Sequence, residues 1–280
     1  MTPRFGISTH LFHGQPLGRE HLVEVAAHGF DAVEVYATRT HFDYHDPAAV
    51  VSLAEWLDDT RLALHSVHAP TTASYRHGQW GDTLSIADVD EARRRRAVAE
   101  AVTALGVASM LPFGLLVVHL GVPSEAAGSN SRAAVARSLE EIGDAAAGVG
   151  VALALELIPN ALSSAERLVR WLEDDLELDH AGICLDVGHA NLAGDVMEAV
   201  ETCSGHILTT HVHDNSGRRD DHLVPGQGRI DWNGVLMAFQ KVGYDGAWMF
   251  ELAPAADPPA VLREAARARE SFERLLRMAP

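Results

Sequence analysis

Short apolar runs alternate with longer stretches of helical periodicity from one end of the chain to the other. The apolar runs predict strands at residues 4–8, 32–36, 62–67, 115–120, 152–157, 182–186, 207–212 and 247–252. Helical periodicity falls between and after them, at 19–28, 47–58, 89–105, 131–149, 163–172, 196–203, 232–242 and 258–278. Several strand runs, such as 115–118 and 151–155, are apolar at every position, the pattern of strands covered on both faces. Regular alternation of this kind predicts a parallel sheet. Eight units favour closure into a single (β/α)8 TIM barrel spanning residues 1–280 over an open doubly wound sheet. No GxGxxG follows the first strand, which further weakens a dinucleotide fold.

Length agrees, since 280 residues is near the roughly 250 typical of one such barrel. No linker or low-complexity segment divides the chain. The longest irregular stretches, 71–87 and 214–230, follow strands three and seven, and both are expected on the C-terminal face as walls or lids of a site. The arginine run 93–96 lies in a helical pattern with Asp90, Glu91 and Glu100 nearby, and is expected to be a solvated helix face.

Composition narrows the class. Two cysteines, Cys184 and Cys203, are too few for a disulfide framework, and a reduced, cytoplasmic setting is expected. No signal peptide or membrane-spanning run is read in the sequence. The formal charge of −17 repels phosphate backbones and disfavours nucleic acid as a partner. Sixteen histidines make their positions the question.

The strand ends answer it. Strand three ends in Ser66-Val67-His68, strand four in Val118-His119, strand five in Leu155-Glu156, strand six in Leu185-Asp186-Val187-Gly188-His189, strand seven in Thr210-His211-Val212-His213, and strand eight in Phe250-Glu251. The loop after strand seven adds Asp220 and His222. Six consecutive strands thus deliver a carboxylate or imidazole to the end of the barrel where active sites are built. Carboxylates gathered in an apolar barrel repel one another and resist burial, and a divalent cation removes both problems. Mixed His and Asp/Glu donors suit zinc, manganese, cobalt, iron or magnesium. Each residue alone has a plainer reading: His68 or His119 as a core histidine, Glu156 or Glu251 as half of an ion pair, Asp186 as a helix cap. Those readings would all have to hold at one end of one barrel. His10, His13, His41 and His45 follow strands one and two and are weaker candidates for pocket lining. His65 is expected to face away from His68 or to sit deeper, His213 stays open, and Glu34 is expected to be structural.

The stretch 184–191 (Cys-Leu-Asp-Val-Gly-His-Ala-Asn) and the run from His211 through Asp220, His222 and Pro225-Gly226-Gln227-Gly228 to Asp231-Trp232 resemble the xylose-isomerase-like, AP-endonuclease-type TIM barrels. That superfamily includes sugar-phosphate isomerases and epimerases, inosose dehydratases and isomerases, and endonuclease IV. The epimerase branch implies one metal on Glu156, Asp186, His211 and Glu251, with acid–base work by Glu156 and Glu251 and substrate contact by His189. The endonuclease IV branch implies a three-zinc cluster that adds His68, His119, His189, Asp220 and His222. The chain departs from that branch after Glu156, where it has Leu157-Ile158-Pro159, and after Asp186, where it has Val187-Gly188-His189.

The expected activity is therefore isomerisation or epimerisation of a sugar-like polyhydroxy carbonyl compound through an enediolate. A dehydratase or lyase is the related outcome. A metal-dependent phosphodiesterase and a sugar-binding barrel without turnover are the competing readings. The expected partner is a small sugar-like molecule, with no membrane, and homo-oligomerisation is left open.

Overall fold

The computed structural model describes residues 4–278 except 124–127, 129, 177 and 179, so both ends of the 1–280 span lie outside the described residues. Eight parallel strands close into a barrel: β1 (Arg4–Ser8), β2 (Ala32–Tyr36), β3 (Ala63–His68), β4 (Leu115–His119), β5 (Ala152–Glu156), β6 (Ala181–Asp186), β7 (Ile207–Val212) and β8 (Ala247–Phe250), with β1 pairing both β2 and β8. The helices are α1 (Arg19–Ala27), α2 (Pro47–Thr60), α3 (Glu91–Gly106), α4 (Arg132–Val149), α5 (Ala165–Arg170), α6 (Val187–Ala193), α7 (Val196–Thr202), α8 (Trp232–Lys241) and α9 (Pro258–Met278). The molecule is thus the single TIM barrel that the alternating pattern predicts.

Residue parity explains how an apolar chain builds a polar site. Leu116, Val118, Leu153, Leu155, Ile183 and Leu185 join the large core between strands and helices. Their neighbours Val117, Ala154 and Cys184 form a separate small cluster inside the barrel. Two residues further along, on the same inward face, stand His119, Glu156 and Asp186. Thr209 and His211 continue the series on β7, where His211 lies opposite Asp186 in the ladder.

Local signals set the helix ends. Asp46 caps α2 with Pro47 in its first turn, Asp90 caps α3, and Ser131 caps α4, which ends on Gly150 at φ 72°. The departures from expectation concern local structure, among them an unpredicted helix, α6, directly after β6. β3 runs one residue later than predicted, so His68 belongs to the strand itself, and the β2–β3 register shifts at Val33/Glu34. The stretch 71–87 contains a hairpin of Tyr75–Arg76 and Gln79–Trp80, turned by His77 and Gly78 at φ 52° and 79°. Arg94 is not solvated: it is buried between α3 and α4, held by Glu91, Glu141 and Ser138, whereas Arg93, Arg95 and Arg96 stay exposed. Among the described residues, no helix is long and apolar enough to cross a membrane.

Candidate metal centre

The nine residues singled out at the strand ends and in the β7 loop come together at the C-terminal end of the barrel. Their hub is Glu156, at the tip of β5 and fully buried. Its Oε2 lies 3.1 Å from His68 Nε2 and 3.0 Å from His119 Nε2. Its Oε1 faces the other way, 3.3 Å from His211 Nδ1 and 3.5 Å from His189 Nδ1. His211 Nδ1 is also 3.4 Å from Glu251 Oε2 and 3.7 Å from Asp186 Oδ2. One donor atom from each of Glu156, Asp186, His211 and Glu251 lies within 4.8 Å of the others.

That donor set fits a divalent cation. Around an ion with bonds near 2.0–2.2 Å, ligand atoms stand roughly 3–4.4 Å apart. His211 Nε2 donates to the buried carboxylate of Glu34 at 3.1 Å, which turns Nδ1 toward the three other donors. Glu156 Oε1 and His211 Nδ1 are both buried without a hydrogen-bond partner, although they stand side by side. Two such atoms directed into one spot need a proton or a cation between them. Without an ion, the imidazoles supply that charge. Burial would raise the Glu156 carboxyl, but the imidazoles of His119 and His211 hold it well below the usual range. Burial would lower His211, but Cys184, Glu34, Glu251 and Glu156 raise it well above the usual value. Burial would also raise Glu34, yet His211 brings it down to about 2, so the carboxylate is the acceptor of that bond.

Two further donor groups flank the first. His68 and His119 meet Glu156 on one side. On the other, Asp220 Oδ2 lies 3.0 Å from both His189 Nε2 and His222 Nε2. His222 is held at φ 45°, a left-handed conformation uncommon outside glycine, with Nδ1 on the Glu251 carbonyl at 2.9 Å. Asp186 proves to be both a cap and a cluster member: one oxygen accepts the His189 N–H at the start of α6 (2.6 Å) while the carboxylate faces His211 and His213.

The remaining histidines separate cleanly. His10 lines the cavity and bonds the Leu252 carbonyl at 3.1 Å. His13 packs against Tyr75 and Trp80 of the hairpin. His41 is buried on the Gln15 carbonyl, and His45 bonds Glu100. His65 reaches Thr209 on the far wall of the barrel, below the site. Sequence reasoning left His213 open, and it belongs to the centre: its Nε2 lies 3.0 Å from Asp186 and its ring stacks on His222 at 3.9 Å. The signal was its parity with His211. Gly188 makes the room, because a Cβ there would fall within the His213 ring. Glu34 does not face the cavity but orients His211, a role that its place in an apolar strand concealed.

A cavity of about 530 Å³ opens above these groups, within the roughly 300–1,000 Å³ of small-molecule sites. His68, His119, His189, Asp220, His222 and Glu251 form its polar side, and Pro123, Ile158 and Leu192 an apolar one.

A parallel barrel with a nest of carboxylates and imidazoles at its C-terminal end defines a TIM barrel with a candidate metal site. The chain belongs to the xylose isomerase-like TIM barrel family, whose model matches residues 22–276. It is 30% identical over 262 residues to the Methanocaldococcus jannaschii protein MJ1311, covering 89% of this chain and 83% of that one. It is 23% identical over 245 residues to the D-psicose 3-epimerase of Enterocloster bolteae, covering 83% and 76%. The crystal structure of a D-tagatose 3-epimerase-like protein superposes with a TM-score of 0.80 at 28% identity, over 98% of this chain and 97% of the other.

Proposed function

We propose that the protein is a divalent-metal-dependent isomerase or epimerase of a small polyhydroxy carbonyl compound. The observation that carries this reading is the placement of Glu156 and Glu251 in one four-donor group with Asp186 and His211, beneath a cavity of sugar size that Glu251 lines. The relatives named as ketose 3-epimerases support it. Glu156, Asp186, His211 and Glu251 would hold the cation, which when bound supplies Lewis acidity toward a carbonyl and its neighbouring hydroxyl.

The chain's own groups supply the rest. Glu251, at the cavity floor, has its carboxylate beside His211 and its carbonyl tied to His222, so its orientation is fixed before substrate arrives. Removal of a proton from the carbon beside the carbonyl, and its return, falls to the paired carboxylates Glu156 and Glu251. Glu34 keeps the imidazole of His211 in one tautomer throughout. The apolar wall of Ile158 and Leu192 shields a face of the substrate from water. Incubating metal-replete protein with ketoses in deuterated water tests the reading. Carbon-bound deuterium with interconversion of epimers is expected, and its absence across a panel of ketoses and their phosphates would overturn it.

A second reading has one specific observation in its favour. The flanking groups His68–His119–Glu156 and His189–His213–Asp220–His222 give room for further ions, and metals about 3.5–4 Å apart clamp a phosphate ester for hydrolysis. Cleavage of an abasic duplex without any deuterium incorporation would make this reading the leading one.

A further inference from the structure

The chain leaving β8 presents two imidazoles in the same way. The Glu251 carbonyl accepts a hydrogen bond from His222 Nδ1 at 2.9 Å, and the next carbonyl, that of Leu252, accepts one from His10 Nδ1 at 3.1 Å. A carbonyl oxygen can only accept, so each ring carries a hydrogen on Nδ1 and, when neutral, offers a lone pair on Nε2. The ring centres lie 5.2 Å apart. The two then diverge. His222 Nε2 lies 3.0 Å from Asp220, inside a donor group with His189 and His213. His10 belongs to none of the donor groups found among the described residues. Its Nε2 has no hydrogen-bond partner among them either, which leaves that atom to the cavity that the ring lines.

Packing fixes the ring. His13 and Tyr36 stand against it with ring centres at 4.6 and 5.0 Å, and Tyr36 is held in turn by its hydroxyl on Thr71 at 2.9 Å. A side chain fixed on these sides and through Nδ1 has little freedom left to lose when a ligand binds. Position in the barrel decides what it meets. His10 follows β1 and Ile158 follows β5, and in a closed ring of eight strands these two stand opposite each other. Ile158, Leu192 and Pro123 make the apolar side of the cavity. A polyhydroxy chain lying between them finds an acceptor on one side and hydrocarbon on the other. A hydroxyl turned toward His10 gains a hydrogen bond. The same hydroxyl in the opposite configuration is turned toward Ile158 and Leu192, and gives up its water without replacement.

We propose that His10 is a specificity-determining residue: its Nε2 accepts a hydrogen bond from a substrate hydroxyl outside the reacting carbonyl and its neighbour, and so selects the configuration at a carbon that does not react. This deepens the isomerase reading and rests on it, because the reacting end is assigned to Glu156 and Glu251. Selection of this kind works by difference, one stereoisomer gaining a partner and the other leaving a polar group unpaired.

The test separates binding from turnover. Metal-replete protein is titrated by calorimetry with ribitol, xylitol and D-arabinitol, which have no carbonyl to react and differ only in configuration. The tightest of the three is expected to bind about tenfold better than the weakest, the worth of one neutral hydrogen bond. His10→Phe keeps a ring against His13 and Tyr36 and removes the acceptor, and it should bind the three alike. His10→Asn keeps an N–H for the Leu252 carbonyl but stops short of the position of Nε2; it should level the affinities too, and it serves where the Phe variant fails to fold. Both variants should hold as much metal as the wild type. Equal affinities in the wild type, binding of none of the three, a preference that survives both substitutions, or loss of metal from both variants would each overturn the proposal. Deuterium exchange on ribulose and xylulose distinguishes the two levels. Exchange on the ketoses with a polyol preference indifferent to His10 keeps the isomerase and sinks the selection. Exchange on neither ketose, with a polyol preference that depends on His10, sinks the isomerase on these substrates and keeps the selection.

Discussion

Glu34 and His211 face each other across 177 positions of sequence, both fully buried, with the imidazole Nε2–H on the carboxylate at 3.1 Å. The contact leaves Nδ1 as the free end of the ring and aims it at Glu156, Asp186 and Glu251. Ser66 donates to the same carboxylate at 2.8 Å and fixes it in turn. Replacing Glu34 by Gln keeps the volume and removes the charge. The expected result is a loss of about 10- to 100-fold in metal affinity or turnover, the usual effect of removing a carboxylate behind a ligating histidine. Metal content after dialysis against buffered metal checks it, and wild-type affinity would reduce Glu34 to a packing role.

The two acid–base candidates make a sharper case. Glu156→Gln with Glu251→Gln should abolish turnover and lower metal content while the circular dichroism of the barrel is retained. A chelator should lower the melting temperature of the wild type, since an ion at a hundredfold excess over its Kd stabilises by about 2.7 kcal/mol. The double variant should show little of that response. Full metal occupancy in active double variant would remove the assigned centre.

Gly188 is required by a neighbour rather than by its own backbone. A methyl group there collides with the His213 ring, which is bound to Asp186 at 3.0 Å and cannot retreat freely. Gly188→Ala should destabilise by about 1–3 kcal/mol, the range of overpacked interiors, and reduce activity through Asp186. Adding His213→Ala should recover part of the stability, because the clash then has no partner. Denaturant midpoints of the two single variants and the double decide it, and strict additivity would refute the steric account.

Acid should find a weak point away from the centre. His41 is buried with Nδ1 on the Gln15 carbonyl and Nε2 unpartnered. Burial lowers its pKa from 6.5 to about 4, outweighing the Gln15 hydrogen bond. The folded state therefore binds a proton less readily than the unfolded chain. The contribution of neutral His41 is complete above 6.5 and is lost as pH falls toward 4. His41→Gln retains an N–H for the carbonyl and removes the titration. Between those pH values its stability should fall less steeply than the wild type's; parallel curves would exclude His41 as the source.

What the sequence disclosed follows from parity and position. An isolated polar residue after an apolar run marks a strand end, and six such ends in order mark the C-terminal face, so His68, His119, Glu156, Asp186, His211 and Glu251 were legible together. Asp220 and His222 were noted in the loop after strand seven, but their role as ligands came only through the resemblance, since loop residues carry no periodicity. Glu34 was hidden because its partner is distant and a lone carboxylate within a strand has no characteristic spacing. Arg94 was misread because its burial depends on Ser138 and Glu141 of a different helix. The hairpin at 75–80 left a local sign, His77-Gly78 at its turn, in a stretch otherwise irregular.

Glu156 turns one oxygen to His68 and His119 and the other to His211. Its charge is therefore shared property. A cation drawn to one side polarises the carboxylate and weakens its hold on whatever occupies the other, and the reverse follows with the same coupling free energy. If both sides take a cation, their occupancies are one linked equilibrium, and a titration with metal would read it as antagonism between sites rather than as independent steps.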